Sequence, residues 1–181
     1  YKRQGNMYNQ SLVSSLISNN GVAETEVWAH RFVGNFARKP EGNDRAQIMA
    51  VANGEADIAI ANSYYIGLML SGKKGDEQRA AARKVNLHFP SQAGRGAHIN
   101  VSGIGLMKNS PNKANAIKFI EFLLSDKAQE HIVNNTYEYP LSANVAPSDL
   151  IAQFGTGFKE DQTSVTDYGK FNPEAVKLMD R

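Results

Sequence analysis

Apolar residues recur at helical spacing along most of this chain. In residues 8–18 and 24–38 they fall three or four positions apart, which predicts two helices separated by the stop signal Asn20-Gly21. The same spacing predicts further helices over residues 45–52, 66–70, 77–84, 116–124, 126–134, 148–154 and 173–179. The turn before residue 45 ends at Asp44, which is a favourable residue type for a helix N-cap.

Three segments between these helices have the apolar character of strands: residues 56–61, 85–89 and 98–107. The first is apolar on almost every position, which is typical of a strand in a parallel sheet covered on both faces. Helices and strands therefore alternate along the chain. This order predicts an α/β architecture.

The composition narrows the functional classes. The chain has 181 residues, of which 41% are hydrophobic and 21% charged, as in an average globular protein. Its net charge of +2 is too balanced for a dedicated nucleic-acid-binding protein, so we expect no nucleic-acid partner. Since the chain has no cysteine, disulfides, thiolate metal sites and cysteine nucleophiles are excluded.

The first residues, 1–6, have neither an initiator Met nor an apolar stretch, so they do not predict a signal peptide. A chain that begins in this way is expected to be a processed form or a piece of a longer protein.

Motifs for catalysis are missing from the sequence. The four histidines have no metal-ligand spacing such as HExxH, and GxGxxG, Walker A and GxSxG motifs do not occur. The acidic residues form no pair that the sequence places face to face. A tyrosine nucleophile would need a base or an arginine cluster beside it. We therefore predict that the protein is not an enzyme and has no catalytic residues.

The unusual feature is the adjacent pair Tyr64 and Tyr65, which follows the predicted strand at residues 56–61. Ligands of α/β sheets bind outside the carboxyl ends of strands. On a structural interpretation, one ring lies in the core and the other at the surface. On a functional interpretation, both oxygens bind a hard, highly charged cation such as Fe(III), which prefers anionic oxygen ligands. Tyr8 is a third candidate, which spacing alone does not place near the pair.

The segments around these tyrosines resemble the periplasmic ferric-ion-binding proteins, the substrate-binding components of bacterial iron ABC transporters. The similar segments are residues 6–13 (NMYNQSLV), 53–65 (NGEADIAIANSYY), 94–103 (GRGAHINVSG), 118–129 (KFIEFLLSDKAQ) and 135–140 (NTYEYP). The resemblance covers essentially the whole chain. It implies Fe(III) as the bound ion, a periplasmic location, an inner-membrane ABC permease as partner and a monomeric protein.

The resemblance also implies a fold. Family members have a two-lobed, type II periplasmic-binding-protein-like α/β fold, with the ion in the cleft between hinged lobes, and this chain is similar to their C-terminal portion. Residues 1–96 are expected to belong to the second lobe, 97–143 to cross the hinge and return to the first lobe, and 144–181 to complete the second lobe. An N-terminal part missing here is expected to supply further iron ligands.

By this resemblance, Tyr64 and Tyr65 are iron ligands. Tyr8 matches a third tyrosine ligand of the members that bind iron without an accompanying anion. Relatives with only the pair bind phosphate or carbonate partly through small polar residues at a helix start, where this chain has Asp44, whose carboxylate would repel an anion. Asn62 keeps the family's pattern before the pair, and we expect it to hydrogen-bond around the site.

An alternative hypothesis keeps the fold but changes the ligand. In it, the protein is a periplasmic binding protein for an organic solute, a polyamine or a sugar, and the tyrosines act as stacking platforms.

Overall fold

The computed structural model describes residues 6–180 of the chain. The segment 1–6, in which no signal peptide is predicted, lies outside the described residues except for Asn6. The chain divides into two compact units. The described residues of the first unit are 6–61, His88–Asn100 and 157–180, and the second unit contains Asn62–Leu87 and Val101–Thr156.

Eight helices form in the described residues. They are α1 (Met7–Gly34), α2 (Asp44–Ala52), α3 (Ser63–Leu70), α4 (Asp76–Ala82), α5 (Lys113–Leu123), α6 (Asp126–Thr136), α7 (Asp149–Ala152) and α8 (Val165–Met179). Helices α1, α2 and α8 belong to the first unit, and the other five belong to the second. Within residues 6–180, none of them is long and apolar enough to cross a membrane.

The break predicted near residues 20–21 is present inside α1. Gly21 has φ 80° and ψ 166°, which interrupts the helical geometry at this one residue. Positive φ is accessible to glycine at little cost because it has no Cβ. The two predicted helices at residues 8–18 and 24–38 are therefore confirmed as two segments, although the second ends at Gly34.

Helix α8 begins earlier than predicted. The expected start at Pro173 is wrong, because Pro173 lies inside a helix that starts at Val165. The side chain of Ser164 caps this start by accepting a hydrogen bond from the backbone N–H of Thr166. An N-cap serine satisfies a backbone donor that would otherwise lack a helical partner.

The first unit is held together by α1 packed on α8. Val13, Ile17, Ala175 and Leu178 form its buried apolar cluster. Beside this cluster, the Asp161 side chain is only 1% exposed and its Oδ2 lies 2.9 Å from Arg95 Nε. Burial raises the pKa of Asp161, but hydrogen bonds from Thr163 and Ser15 and the charge of Arg95 outweigh it, so the net pKa is lowered.

The lowered pKa makes Asp161 a pH-dependent source of stability. A carboxyl whose pKa is lower in the folded state stabilises the protein above its unfolded pKa of about 4, and this contribution is lost as pH falls through the folded value. Asp161→Asn is expected to lower the free energy of unfolding at pH 7 by about 2 kcal/mol. Urea unfolding at pH 7 and pH 3 checks this, with Asp167→Asn as the control, since Asp167 accepts a single 3.3 Å bond from Ser18. An equal loss at both pH values would contradict the assignment.

The predicted strands do not form ladders within the described residues. In residues 6–180 the only β-bridge joins Ala97 and Glu160 in parallel. Ile58 and Ile60, expected inside a covered sheet, are 83% and 52% exposed. The strand predictions at 56–61, 85–89 and 98–107 are therefore wrong for this chain as described. A strand needs backbone partners, and an apolar pattern cannot show where those partners are.

Helix α5 has an uncovered apolar face. Its sequence predicts an amphipathic helix, and the helix forms, but none of its residues is buried in the described chain. Ile117, Phe119 and Phe122 are 44%, 56% and 52% exposed. The second unit therefore presents apolar side chains that its own described residues do not cover.

Candidate metal site

The tyrosine pair lies in the first turn of α3, in the second unit. Asn62 is the N-cap, with extended φ −75° and ψ 140°, and its backbone oxygen accepts a hydrogen bond from Tyr65 N at 3.2 Å. Ile66, Gly67 and Met69 are buried and hold the helix against its unit. Because these three residues fix the buried face, Asn62, Tyr64 and Tyr65 are brought together at the N-terminal end of one short helix.

The two phenol rings are neighbours and both reach the surface. Their centroids are 4.3 Å apart and their planes are inclined by 34°. Both residues are half-buried, so the expected arrangement of one ring in the core and one at the surface is not observed. The positive end of a helix dipole favours negative charge in its first turn, which suits phenolate at this position.

Tyr8 lies in the first unit, at the start of α1. The side chain of Asn6 caps that helix by accepting a hydrogen bond from Tyr8 N at 2.9 Å. Tyr8 is half-buried. The structure therefore places each of the three tyrosines in the first turn of a helix, with Tyr8 in one unit and the pair in the other.

A polar cluster beneath the first turn of α1 was not predicted. Ser11 Oγ lies 2.9 Å from Tyr8 O, 2.5 Å from Asn100 Oδ1 and 3.3 Å from His98 Nε2. His98 was not singled out from the sequence, because the histidines have no metal-ligand spacing. The one available signal was that Ser11, His98 and Asn100 all fall in the segments 6–13 and 94–103 that carry the family resemblance.

The start of α2 differs from the prediction in one respect. Its N-cap is Asn43, whose side chain accepts a hydrogen bond from Ala46 N at 3.2 Å, and Asp44 is the first helical residue. Asp44 is 3% exposed. A buried carboxylate at a helix start disfavours binding of a second anion there. That this protein binds iron without phosphate or carbonate stays a prediction.

Other residue types do not assemble an alternative metal site in the described part of the chain. Across residues 6–180, no three His, Asp or Glu side chains are grouped so that they could hold an ion. The phenol pair offers two oxygen donors side by side. Hard cations of high charge prefer such donors when they are anionic.

Comparison with known proteins identifies the class. The chain belongs to the bacterial extracellular solute-binding proteins, because the model of that family matches residues 7–130. Among individual relatives, iron uptake protein A1 of Synechocystis is 48% identical over 178 residues, which is 98% of this chain and 49% of the relative. The major ferric iron-binding protein of Neisseria meningitidis is 36% identical over 107 residues, 59% of this chain and 31% of the relative.

Solved structures agree with this assignment. The Trichodesmium protein IdiA (FutA), in complex with iron and citrate, has a TM-score of 0.92 and 52% identity, covering 97% of this chain and 55% of that one. The ferric-binding protein of Campylobacter jejuni has a TM-score of 0.88 and 40% identity, covering 96% and 54%. The chain therefore spans about half the length of the relatives it matches. The predicted α/β fold class, that of type II periplasmic binding proteins, and the resemblance to ferric-ion-binding proteins are confirmed.

Proposed function

We propose that the protein to which this chain belongs captures Fe(III) in the periplasm through tyrosinate oxygens and delivers it to an ABC permease for iron uptake. The observation that carries the proposal is the pair Tyr64 and Tyr65, with ring centroids 4.3 Å apart in the first turn of α3. Relatives named for iron uptake and ferric binding support the choice of ion. The protein acts as a monomeric carrier and not as an enzyme.

The chemistry follows from the donor type. A phenol is protonated at neutral pH, so Fe(III) binds by replacing the phenol protons of its tyrosine ligands. The proposed ligands are Tyr64, Tyr65 and Tyr8. The high charge of the ion compensates this deprotonation. Release then follows from protonation of the phenolates or from reduction to Fe(II), which bonds less strongly to anionic oxygen.

Further ligands are proposed to come from parts of the protein outside this chain. The chain spans 49% of iron uptake protein A1, and its described residues contain no cluster of His, Asp and Glu that would complete the coordination. The uncovered apolar face of α5 is consistent with additional chain packed on the second unit.

A visible titration of the full-length protein with Fe(III) tests the proposal. Tyrosinate bound to ferric iron gives a ligand-to-metal charge-transfer band, seen as a red to orange colour on adding ferric citrate. X-ray absorption on the same sample gives the total number of oxygen and nitrogen donors around the ion. An organic-solute binding protein would show only the absorption of ferric citrate itself, with no charge-transfer band, and that result would reject the tyrosinate site. Delivery to the permease is tested by expressing the full-length protein in cells that lack its gene and measuring whether iron uptake is restored.

Tyr8→Phe is expected to weaken Fe(III) binding by more than about 100-fold, because it removes one charged oxygen donor while keeping the ring volume. Competition with citrate in the presence and absence of phosphate measures the effect. Tyr168→Phe is the matched control in the first unit, since its hydroxyl makes only a 3.5 Å contact with Ile99 O. Unchanged binding by Tyr8→Phe, together with a requirement for phosphate, would show that the interpretation of Asp44 is wrong.

A further inference from the structure

Tyr137 has an unusual backbone conformation at the end of α6. It is the C-cap of that helix, with φ 63° and ψ 22°, in the left-handed region. Only Tyr137 and Ser91 adopt positive φ among the non-glycine residues of 6–180. The Tyr137 side chain is nearly inaccessible, with 4% of the residue exposed. A large residue keeps this conformation only where its surroundings hold it there.

The surroundings that hold Tyr137 include α3, the helix that carries the tyrosine pair. A Cβ added to Gly67 of α3 would lie 2.7 Å from Tyr137 Cβ and 2.9 Å from Ile151 Cδ1. Ile151 Cδ1 is the far end of a flexible side chain and could move. Tyr137 Cβ is attached directly to the backbone and could not move without it. The α3 backbone therefore packs directly on Tyr137 at Gly67, three residues after Tyr64.

The same side chain also lies near the other end of α3. Ser71 is the C-cap of α3, and both Ser71 and Lys73 interact with the Tyr137 phenol. Lys73 Nζ lies 5.1 Å from the centre of the ring. Burial raises the pKa of Tyr137, but hydrogen bonding with Ser71 and Lys73 and the charge of Lys73 outweigh it, so the net pKa is lowered. Tyr137 therefore packs against the middle of α3, and Lys73, just beyond the end of that helix, faces its ring.

We propose that Tyr137 is a positioning residue for the Tyr64–Tyr65 pair, acting through its contact with Gly67 of α3. The inference rests on the proposed ferric site. Helix α3 has only eight residues, so a shift at Gly67 moves its first turn as well. Ligand atoms must be held within about 0.5 Å of their productive geometry, and the residues that support them are what hold them there.

A core residue without this role would behave differently. If Tyr137 only fills space, its loss lowers stability but leaves the iron complex of the folded protein unchanged. If it positions α3, the loss changes the geometry of the iron–phenolate bonds. The position and width of the charge-transfer band report that geometry directly, independently of stability.

The first variant is Gly67→Ala in the full-length protein. Its added methyl group forces α3 away from Tyr137, so we expect Fe(III) to bind at least about tenfold more weakly, with a shifted or broadened charge-transfer band. Gly169→Ala is the matched control, because Gly169 also lies within a helix and has no atom within 4 Å of an added Cβ. We expect that control to bind iron as the wild type does.

The second variant, Tyr137→Phe, keeps the ring and removes the phenol oxygen that interacts with Ser71. We expect about threefold to tenfold weaker binding, a changed band and faster amide exchange in α3 of the iron-free protein. Tyr139→Phe is its control, since the Tyr139 hydroxyl donates at 3.1 Å to the backbone oxygen of Gly155, which is not part of α3. This variant decides the question if Gly67→Ala does not fold.

Two outcomes are distinguished. In the first, the wild-type protein shows the tyrosinate band, and Tyr137→Phe and any folded Gly67→Ala have the same iron affinity, the same band and the same amide exchange in α3. That result would overturn the positioning role alone. A wild-type protein with no tyrosinate band would overturn the proposed function and this inference with it.

Discussion

Tyr64→Phe and Tyr65→Phe are each expected to remove nearly all Fe(III) binding. Each substitution deletes one anionic oxygen donor from the ion. Mutation of residues that only hold a metal ligand in place typically lowers metal affinity by about 10-fold to 100-fold. Loss of a ligand itself is therefore expected to lower the affinity by more than about 100-fold. The fold should survive, because phenylalanine has nearly the same volume and both rings are half-buried on α3.

Competition with citrate measures the affinity, and thermal unfolding of the iron-free proteins checks the fold. Tyr139→Phe serves as the control in the same unit. Burial raises the pKa of Tyr139 to about 12 and its hydroxyl donates to Gly155 O, so its proton is harder to displace than that of an ordinary phenol. Wild-type affinity in either single variant of the pair would remove that tyrosine from the ligand set.

Acidification is the second large effect that we expect. A free phenol has a pKa of about 10, so each tyrosine that becomes a ligand releases a proton, up to about three per ion for the proposed set. Affinity for Fe(III) should then fall by at least about tenfold per pH unit, since one or more protons compete with the ion. Competition titrations between about pH 5 and 8, with proton release followed in weak buffer, measure both quantities. A flat profile would be incompatible with tyrosinate ligation.

The same competition sets the choice of metal. Fe(II), Zn(II) and Ca(II) carry less charge and compensate phenol deprotonation less well. Zinc prefers imidazole and thiolate, and calcium prefers carboxylates and carbonyls, whereas Tyr8, Tyr64 and Tyr65 offer only phenol oxygens. Titration of the full-length protein with each ion should rank Fe(III) first. Tighter binding of Zn(II) would show that other side chains form the site.

The sequence predicted features that depend on neighbours along the chain. The break at Gly21 and the amphipathic character of α5 follow from local spacing and local backbone preference. The predicted start of α3 at residue 66 is wrong, because the helix begins at Ser63 and includes the tyrosine pair. The tyrosine pair itself was found in the same way, because two adjacent phenols are visible in any sequence. The family resemblance added the identity of the ion and the prediction that Tyr8 is a third ligand.

Features that depend on distant residues were missed or wrong. The apolar pattern of 56–61 predicts burial, yet Ile58 is 83% exposed among the described residues. The contact between Gly67 and Tyr137 joins positions 70 residues apart, and nothing in the local sequence indicates it. The left-handed backbone of Tyr137 is equally invisible, since tyrosine does not favour that conformation.

The segments 56–61 and 98–107 form no β-ladder within the described residues, which has a practical consequence for anyone who expresses these 181 residues alone. Backbone N–H and C=O groups beside exposed Ile58, Ile60 and Ile104 offer a template for strand addition between molecules. Such a preparation would tend to aggregate through these edges, whatever the quality of its helical packing. Solubility would therefore be gained by supplying a chain that covers them, rather than by redesigning the buried interior.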